Sequence, residues 1–249
     1  MAHAAEWGRF YYPDGKPAYE VPGAKGMVKP DIRHAKKLGL LPSVTTILAE
    51  AAKPGLERWK REQVLLAALT LPRNEGEAEK DYIARILRDS EEQAKKAAER
   101  GTAIHAAIQT AYETENIEPE MADYVMSTMA AIDNRYGMKG WDCEKSFASP
   151  LGYAGKTDLS AHTIVLDVKT KEFSDTDKKL AWDEHCIQLA AYREGLGLPK
   201  AVCANVFVSV NHSGLVHIHE WAEHELQRGW RMFQALKDYW YARNNYARS

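Results

Sequence analysis

Apolar residues recur at helical spacing through the middle of this chain and at strand spacing beyond it. From Tyr82 to Tyr112 the positions Ile83, Ile86, Leu87, Ala94, Ala97, Ala98, Ile104 and Ile108 trace one face of a helix. Gly101 interrupts that face at a cost of about 1 kcal/mol against alanine. The pattern therefore predicts one helix from Tyr82 to about Glu99 and a second from about Thr102. Leu56 to about Leu71 reads as a helix with Trp59, Leu66 and Leu69 on one side. Glu118 to Arg135 reads as another, with Met121, Val125, Met129 and Ile132 at helical spacing. Strands are expected at Trp141–Ala148, Tyr153–Leu159 and Ile164–Lys169, with Ser160–Thr163 turning the chain between the last two. Lys178 to Gly195 then predicts a helix ended by Gly195, Gly197 and Pro199. Ala201–Val210 is nearly continuously apolar, as a buried strand is. Asn211–Gly214 turns it into Leu215–Trp221, and a last amphipathic helix spans Glu223 to about Asn244.

The N-terminal 40 residues are rich in glycine, proline and aromatics. Trp7–Tyr12, Asp14-Gly15 and Pro17–Val21 suggest a hairpin. Ser43 is a plausible N-cap for a short helix to about Ala52, stopped by Pro54-Gly55. The order of elements predicts an α/β fold in one domain over residues 1–249. Its parts are an irregular extension over 1–40, a helical part over 41–140, a sheet core over 141–222 and a C-terminal helix over 223–249.

Composition narrows this little. The chain has 249 residues, 45% of them hydrophobic, as expected of a globular protein with a full core. No apolar run is long enough to span a bilayer, so no membrane partner is expected. The N-terminus lacks the basic and apolar segments of a secretory signal, making the cytoplasm the default location. A net charge of −2 leaves nucleic acid open as a partner only if positive charge is concentrated locally. Two clusters offer that: Lys169, Lys171, Lys178 and Lys179, and Arg58, Lys60 and Arg61. Such runs are more often solvated faces. Cys143, Cys186 and Cys203 have no Cys-x-x-Cys spacing, which disfavours structural zinc. In a reducing compartment they are not expected to form disulfides.

The densest chemistry lies in Gly155-Lys-Thr-Asp158 and Asp167-Val-Lys169. Asp167 and Lys169 share one face of their strand and Val168 takes the other. Antiparallel pairing with the preceding strand brings Asp158 close to Asp167. Two hard oxygen donors side by side suit Mg²⁺ or Mn²⁺. A lysine on the same face can orient a water and stabilise charge on a phosphoryl group. Taken alone, Asp-x-Lys is usually a solvated strand face with a weak ion pair. The context on both sides argues otherwise.

Four motifs occur in order: Gly101-Thr-Ala-Ile-His105, Gly155-Lys-Thr-Asp158, Asp167-Val-Lys169 and Gln188-x-x-x-Tyr192. In that order they resemble the RecB-type branch of the PD-(D/E)XK nucleases. Pro42-Ser43-Val44-Thr45-Thr46-Ile47-Leu48, followed by Trp59, resembles the opening signature of phage exonucleases and of the mitochondrial genome-maintenance exonuclease. The resemblance runs from about Leu41 to Tyr192. It implies a restriction-endonuclease-like core, a central mixed β-sheet flanked by helices, with a helical N-terminal part.

The resemblance also implies roles. Asp158, Asp167, the Val168 carbonyl and His105 would hold the metal, and an imidazole ligand suits Mn²⁺ somewhat better than Mg²⁺. Lys169 would be the catalytic lysine. Gln188 would hold that lysine or the scissile phosphate, and Tyr192 would contact DNA; the bland alternative is an ordinary glutamine beside a packed tyrosine. Glu144 resembles a carboxylate often found on the first strand, or is simply exposed. Ser43, Thr45 and Thr46 either meet phosphates through backbone N–H groups or form a plain N-cap. Trp59 either stacks on a base or belongs to a core. Lys171 is a candidate contact to the DNA backbone. Some RecB-type nucleases carry a [4Fe–4S] cluster on four cysteines; three cannot fill four positions, so no iron–sulfur cluster is expected.

The function so implied is metal-dependent hydrolysis of DNA, most simply by an exonuclease acting on ends or single strands in phage-type recombination, replication or repair. A recombination or replication protein would be its partner, in the cytoplasm of a bacterial host. The alternatives are a structure- or site-specific endonuclease and a catalytically silent nucleic-acid-binding module.

Overall fold

Five strands carry the sequence alternation into one mixed sheet. The computed structural model describes residues 9–52, 54–137, 140–177 and 179–246. In chain order, β1 (Phe10–Tyr11), β2 (Val21–Gly23), β3 (Gly26–Val28), α1 (Ile32–Leu38), β4 (Leu41–Pro42) and α2 (Val44–Leu48) come first. Then follow α3 (Pro54–Thr70), α4 (Glu79–Thr114) and α5 (Ala122–Tyr136). The sheet strands are β5 (Asp142–Ser149), β6 (Tyr153–Ala161), β7 (Ile164–Lys171), β8 (Val202–Ser209) and β9 (Val216–Glu220). Helix α6 (Asp183–Gly195) joins β7 to β8, and α7 (Glu223–Arg243) closes the described chain. The expected central mixed sheet with flanking helices is what forms.

The strand order is β5-β6-β7-β8-β9, antiparallel throughout except for the β7–β8 pair. A parallel pair needs a crossover, and α6 supplies it. Strand alternation divides the apolar residues between two layers. Leu166, Val168, Ala204 and Val206 pack with Ile104 and Ile108 of α4 and with Val125 and Ile132 of α5. On the other face Val165 and Cys203 pack with Leu189, Ala190 and Phe233 of α6 and α7.

Contacts divide the described chain into two compact units. One comprises the residues up to Ala51 and from Ile104 onward; the other is Ala52–Ala103. The second unit holds α3 and the first part of α4. There Tyr82 donates to the Leu71 carbonyl at 2.9 Å, and Arg85 meets Glu77 at 2.8 Å. Its buried apolar side chains include Ala67 and Ile86, whereas Leu66 and Leu69, expected on a packed side, are exposed, Leu69 to 83%.

Several sequence expectations need correction. Gly101 does not divide the long pattern: α4 is one helix of 36 residues, so favourable residues on either side outweigh the local glycine cost. Pro54 opens α3 instead of stopping α2, in keeping with proline's fixed φ at a first helical position. Helix α6 begins at Asp183, later than expected, and Lys178 lies outside the described residues. The turn at Gly15 forms, and Tyr11 bridges Pro17, but the strand partner of β1 is β4; Trp7 also lies outside the described residues. Helix α1 is not among the expected elements, although its signals are present. Asp31 accepts from the backbone N–H of Arg33 and His34, and Gly39 closes the helix at φ 63°. Among the described residues no helix is long and apolar enough to cross a membrane.

One glycine of the motif region has a packing reason. A Cβ on Gly155 would come within 2.8 Å of the Phe147 ring and 2.9 Å of the Tyr192 ring. Phe147 also packs edge-to-face on Tyr153 and Tyr192, at 5.9 and 6.0 Å. Gly155→Ala is therefore expected to destabilise the fold by about 1–3 kcal/mol through overpacking. Chemical denaturation of the two proteins checks this, and equal midpoints would show that the rings yield freely.

Candidate active site

Strands β6 and β7 pair only over Leu159↔Leu166, Ser160↔Val165 and Ala161↔Ile164. The next facing positions are Asp158 and Asp167, where the ladder stops. Asp158 takes the place of a ladder partner: its Oδ2 accepts the Val168 backbone N–H at 2.7 Å. Beyond this opening Ser43 forms a parallel bridge to Ala154.

Each carboxylate has a cationic or donor neighbour. His105 Nε2, on the part of α4 belonging to the first unit, lies 3.1 Å from Asp158 Oδ2. Lys169 Nζ donates to Asp167 Oδ1 at 2.6 Å and reaches Oδ2 at 2.5 Å. Asn205 Nδ2, on the adjacent strand, donates to Asp167 Oδ2 at 2.7 Å. Glu144 pairs with Lys156 across β5 and β6. Glu144 sits at φ 48° within β5, a left-handed conformation that costs a non-glycine residue about 1–3 kcal/mol.

Burial sets the electrostatics. Asp167 is fully buried, which pushes its carboxyl up; Lys169 opposes the shift, Asp158 reinforces it, and the result is about 6. Burial also pushes Asp158 up, but His105, Lys169 and the Val168 N–H together hold it below the usual carboxylate range. Burial pulls the His105 imidazole down, and Asp158 more than reverses this, leaving it raised. Glu144 is raised by burial against the opposing charge of Lys156.

A small cleft lined by His105, Gln109, Tyr112, Glu144, Asp158 and Val168 offers about 10 Å³, room for one water-sized particle. Among the described residues, no three His, Cys, Asp or Glu side chains converge as a ready metal-binding group. The donors nevertheless suit a hard divalent cation in kind: carboxylate oxygens, one imidazole, and a second buried carboxyl held up partly by the charge of the first. The positive charge at Asp167 comes from Lys169 in this conformation.

The remaining expected site residues fall in different places. Gln188 and Tyr192 share a face of α6, and Gln188 Nε2 donates to the Tyr192 hydroxyl at 2.9 Å. Tyr192 is only 2% exposed and belongs to the apolar core. A ring so buried offers little surface to DNA; burial, with the charges of Asp167 and Asp158 adding to it, raises the Tyr192 hydroxyl well above the ordinary value. Ser43 is buried and caps α2, accepting the Thr46 N–H at 3.0 Å, with Thr45 Oγ1 also at 3.0 Å. This matches the plain N-cap alternative. Lys171 is half-buried, its Nζ 3.5 Å from the Leu180 carbonyl and 5.8 Å from the Phe207 ring centre. Lys179 lies over the Trp182 ring at 4.2 Å. Trp59 is half-buried on α3 in the second unit. There Arg58 and Lys60 pair with Glu62 and Glu57 of the same helix, as on a solvated face. Of the cysteines, Cys186 and Cys203 are buried and Cys143 partly so, and burial pushes each thiol up to about 12.

Sequence reading missed Lys156 and Asn205. Lys156 is the second residue of the Gly-x-x-Asp motif; the β5–β6 register sets it opposite Ser146, and it reaches diagonally to Glu144, two residues before Ser146. Asn205 sits in an apolar strand, where a lone buried amide demands partners; that was its signal.

No protein-family model matches this chain, and no curated protein matches it. Among solved structures, a candidate exonuclease from Eubacterium rectale aligns with a TM-score of 0.43 and 13% identity, covering 59% of this chain and 69% of its own. The protein SSO0001 aligns with a TM-score of 0.27 and 15% identity, covering 54% and 75%. Likenesses this distant leave the reading to rest on the chain's own residues.

Proposed function

We propose that this chain is a metal-dependent nuclease that hydrolyses DNA phosphodiester bonds. The observation that carries the reading is the opening of the β6–β7 ladder at two buried carboxylates, with His105 against one and Lys169 against the other. Asp158, Asp167, His105 and the Val168 carbonyl would hold Mg²⁺ or Mn²⁺. When bound, such an ion polarises a phosphoryl oxygen and acidifies water. Lys169 supplies a donor and a positive charge to the phosphoryl oxygens as charge builds there. Gln188, which donates to the Tyr192 hydroxyl in this structure, would hold Lys169 or the scissile phosphate, as the resemblance implies. Glu144, with Lys156, adds a further acidic group at the edge of the cleft.

The exonuclease mode follows from the resemblance of the Pro42–Leu48 segment and is proposed with it, as is a role in phage-type recombination, replication or repair. End-labelled linear single strands, linear duplex and circular single strands, incubated with Mg²⁺, Mn²⁺ or EDTA, test both. Metal-dependent loss of linear DNA alone supports an exonuclease and gives its polarity. Cutting of circles supports an endonuclease. Binding without cleavage under every metal supports a silent binding module and overturns the enzyme.

A pH dependence follows from Asp167. Its carboxyl is raised from 3.8 to about 6, so its contribution to the stability of the metal-free protein is complete below 3.8 and is lost as pH rises through about 6. Metal binding needs the ionised form, and a protonated His105 cannot ligate either, so both act with the same sign. The rise in melting temperature produced by Mn²⁺ should be small near about pH 5 and should keep growing through and above about pH 7, as first Asp167 and then the raised His105 lose their protons. Thermal melts with Mn²⁺ or EDTA measure it; a shift independent of pH would remove Asp167 from the binding group.

A further inference from the structure

We infer that Asn205 and Trp221 are positioning residues for Asp167: the Trp221 indole fixes the Asn205 amide, and that amide fixes the Asp167 carboxylate. The inference rests on the functional reading above and extends it to two residues that no motif singled out.

Asp167 and Asn205 are directly paired across the parallel β7–β8 ladder, so their side chains leave the sheet on the same face. Asn205 Nδ2 donates to Asp167 Oδ2 at 2.7 Å. Trp221 Nε1 donates to Asn205 Oδ1 at 2.7 Å. Asp167 and Asn205 are fully buried and Trp221 nearly so, so water does not compete freely for these bonds.

The direction of the chain is forced. An asparagine amide can turn over, exchanging its donor and acceptor ends. An indole N–H only donates, so it must meet the amide oxygen. That leaves the amide N–H₂ facing Asp167. With the amide reversed, two donors would face each other at one end and two acceptors at the other, in a buried place where each unmet group is costly. Trp221 is itself fixed. Its backbone N–H donates to the Cys203 carbonyl at 3.0 Å, and the His219 ring meets it edge-on at 4.5 Å. The relay therefore starts from a rigid ring anchored just beyond β9 and ends on a carboxylate proposed to hold metal. Outer partners of this kind set the orientation of the ligands they touch.

The test compares the wild type with Asn205→Leu, Trp221→Phe and the double variant. Leucine keeps the branched shape of asparagine, in a somewhat larger volume, without its hydrogen bonds, and phenylalanine keeps a ring without the N–H. Two readouts are taken: the Mn²⁺ concentration giving half-maximal DNA cleavage, and the indole ¹H–¹⁵N signal of Trp221 in tryptophan-labelled protein. Half-saturation should rise about 10–100-fold in Asn205→Leu and by less in Trp221→Phe. The double variant should be no worse than Asn205→Leu, because both changes break one relay. The signal lost in Trp221→Phe identifies the indole, and it should move in Asp167→Asn, two hydrogen bonds away.

Additive effects, or an unchanged metal requirement in an active protein, would overturn the inference. So would an indole signal unmoved by Asp167→Asn. Where Asn205→Leu fails to fold, Trp221→Phe carries the comparison. A wild type that neither binds Mn²⁺ nor cuts DNA overturns the functional reading instead, and the indole signal then decides the relay alone.

Discussion

Lys169→Ala is expected to lower the rate of DNA cleavage by about 10²–10³-fold, equivalent to roughly 3–4 kcal/mol of transition-state stabilisation. Its Nζ touches both oxygens of Asp167, so the substitution does two things. It removes a cation positioned to meet charge on the phosphoryl group. It also leaves Asp167 buried beside Asp158 without its strongest opposing charge, so the Asp167 carboxyl moves further above about 6. The variant should therefore need a higher pH for whatever activity it retains. Single-turnover cleavage of an end-labelled strand, measured across pH at saturating metal, reads both effects. A rate close to wild type would mean that the ammonium only neutralises Asp167.

Substitution of Asp158 should separate chemistry from folding. Asp158→Ala is expected to abolish measurable Mn²⁺ binding, a larger effect than the roughly 10–100-fold typical of losing an outer partner. It should also destabilise the fold by about 1–3 kcal/mol, because the buried Val168 N–H loses its acceptor. Asp158→Asn keeps an acceptor for that N–H and loses the charge, so it should lose metal binding while largely keeping stability. Calorimetric titration with Mn²⁺ and denaturant melts on both variants check this. Equal stability losses in the two would show that the charge at Asp158, and not its hydrogen bond to Val168, holds the strands there.

Much of this was legible because it follows from periodicity. The alternation around Ile164–Lys169 predicted a strand with Asp167 and Lys169 on one face. The short connection Ser160–Thr163 predicted the antiparallel partner that brings Asp158 opposite. What escaped reading depends on long-range partners. A lone asparagine in Val202–Ser209 reads as a flaw in an apolar strand until β7 and Trp221 are placed beside it. Tyr192 shares a helix face with Gln188 as spacing requires, but spacing does not say whether that face meets solvent or Phe147. The continuity of α4 through Gly101 was lost for a different reason: a local penalty was set against nothing, when the helix on both sides outweighs it.

The ladder's early end has a bearing on how such a protein can drift. One oxygen of Asp158 serves as a strand's hydrogen-bond partner and lies among the groups proposed to do chemistry. A lineage released from selection for cleavage could replace Lys169, whose side chain is partly exposed and takes no part in the backbone pairing, once Asp167 is neutralised or replaced with it. It would still be held to an acceptor at position 158, with asparagine as the inexpensive escape. Descendants that bind without cutting should thus carry an amide at this position far more readily than an alkyl side chain.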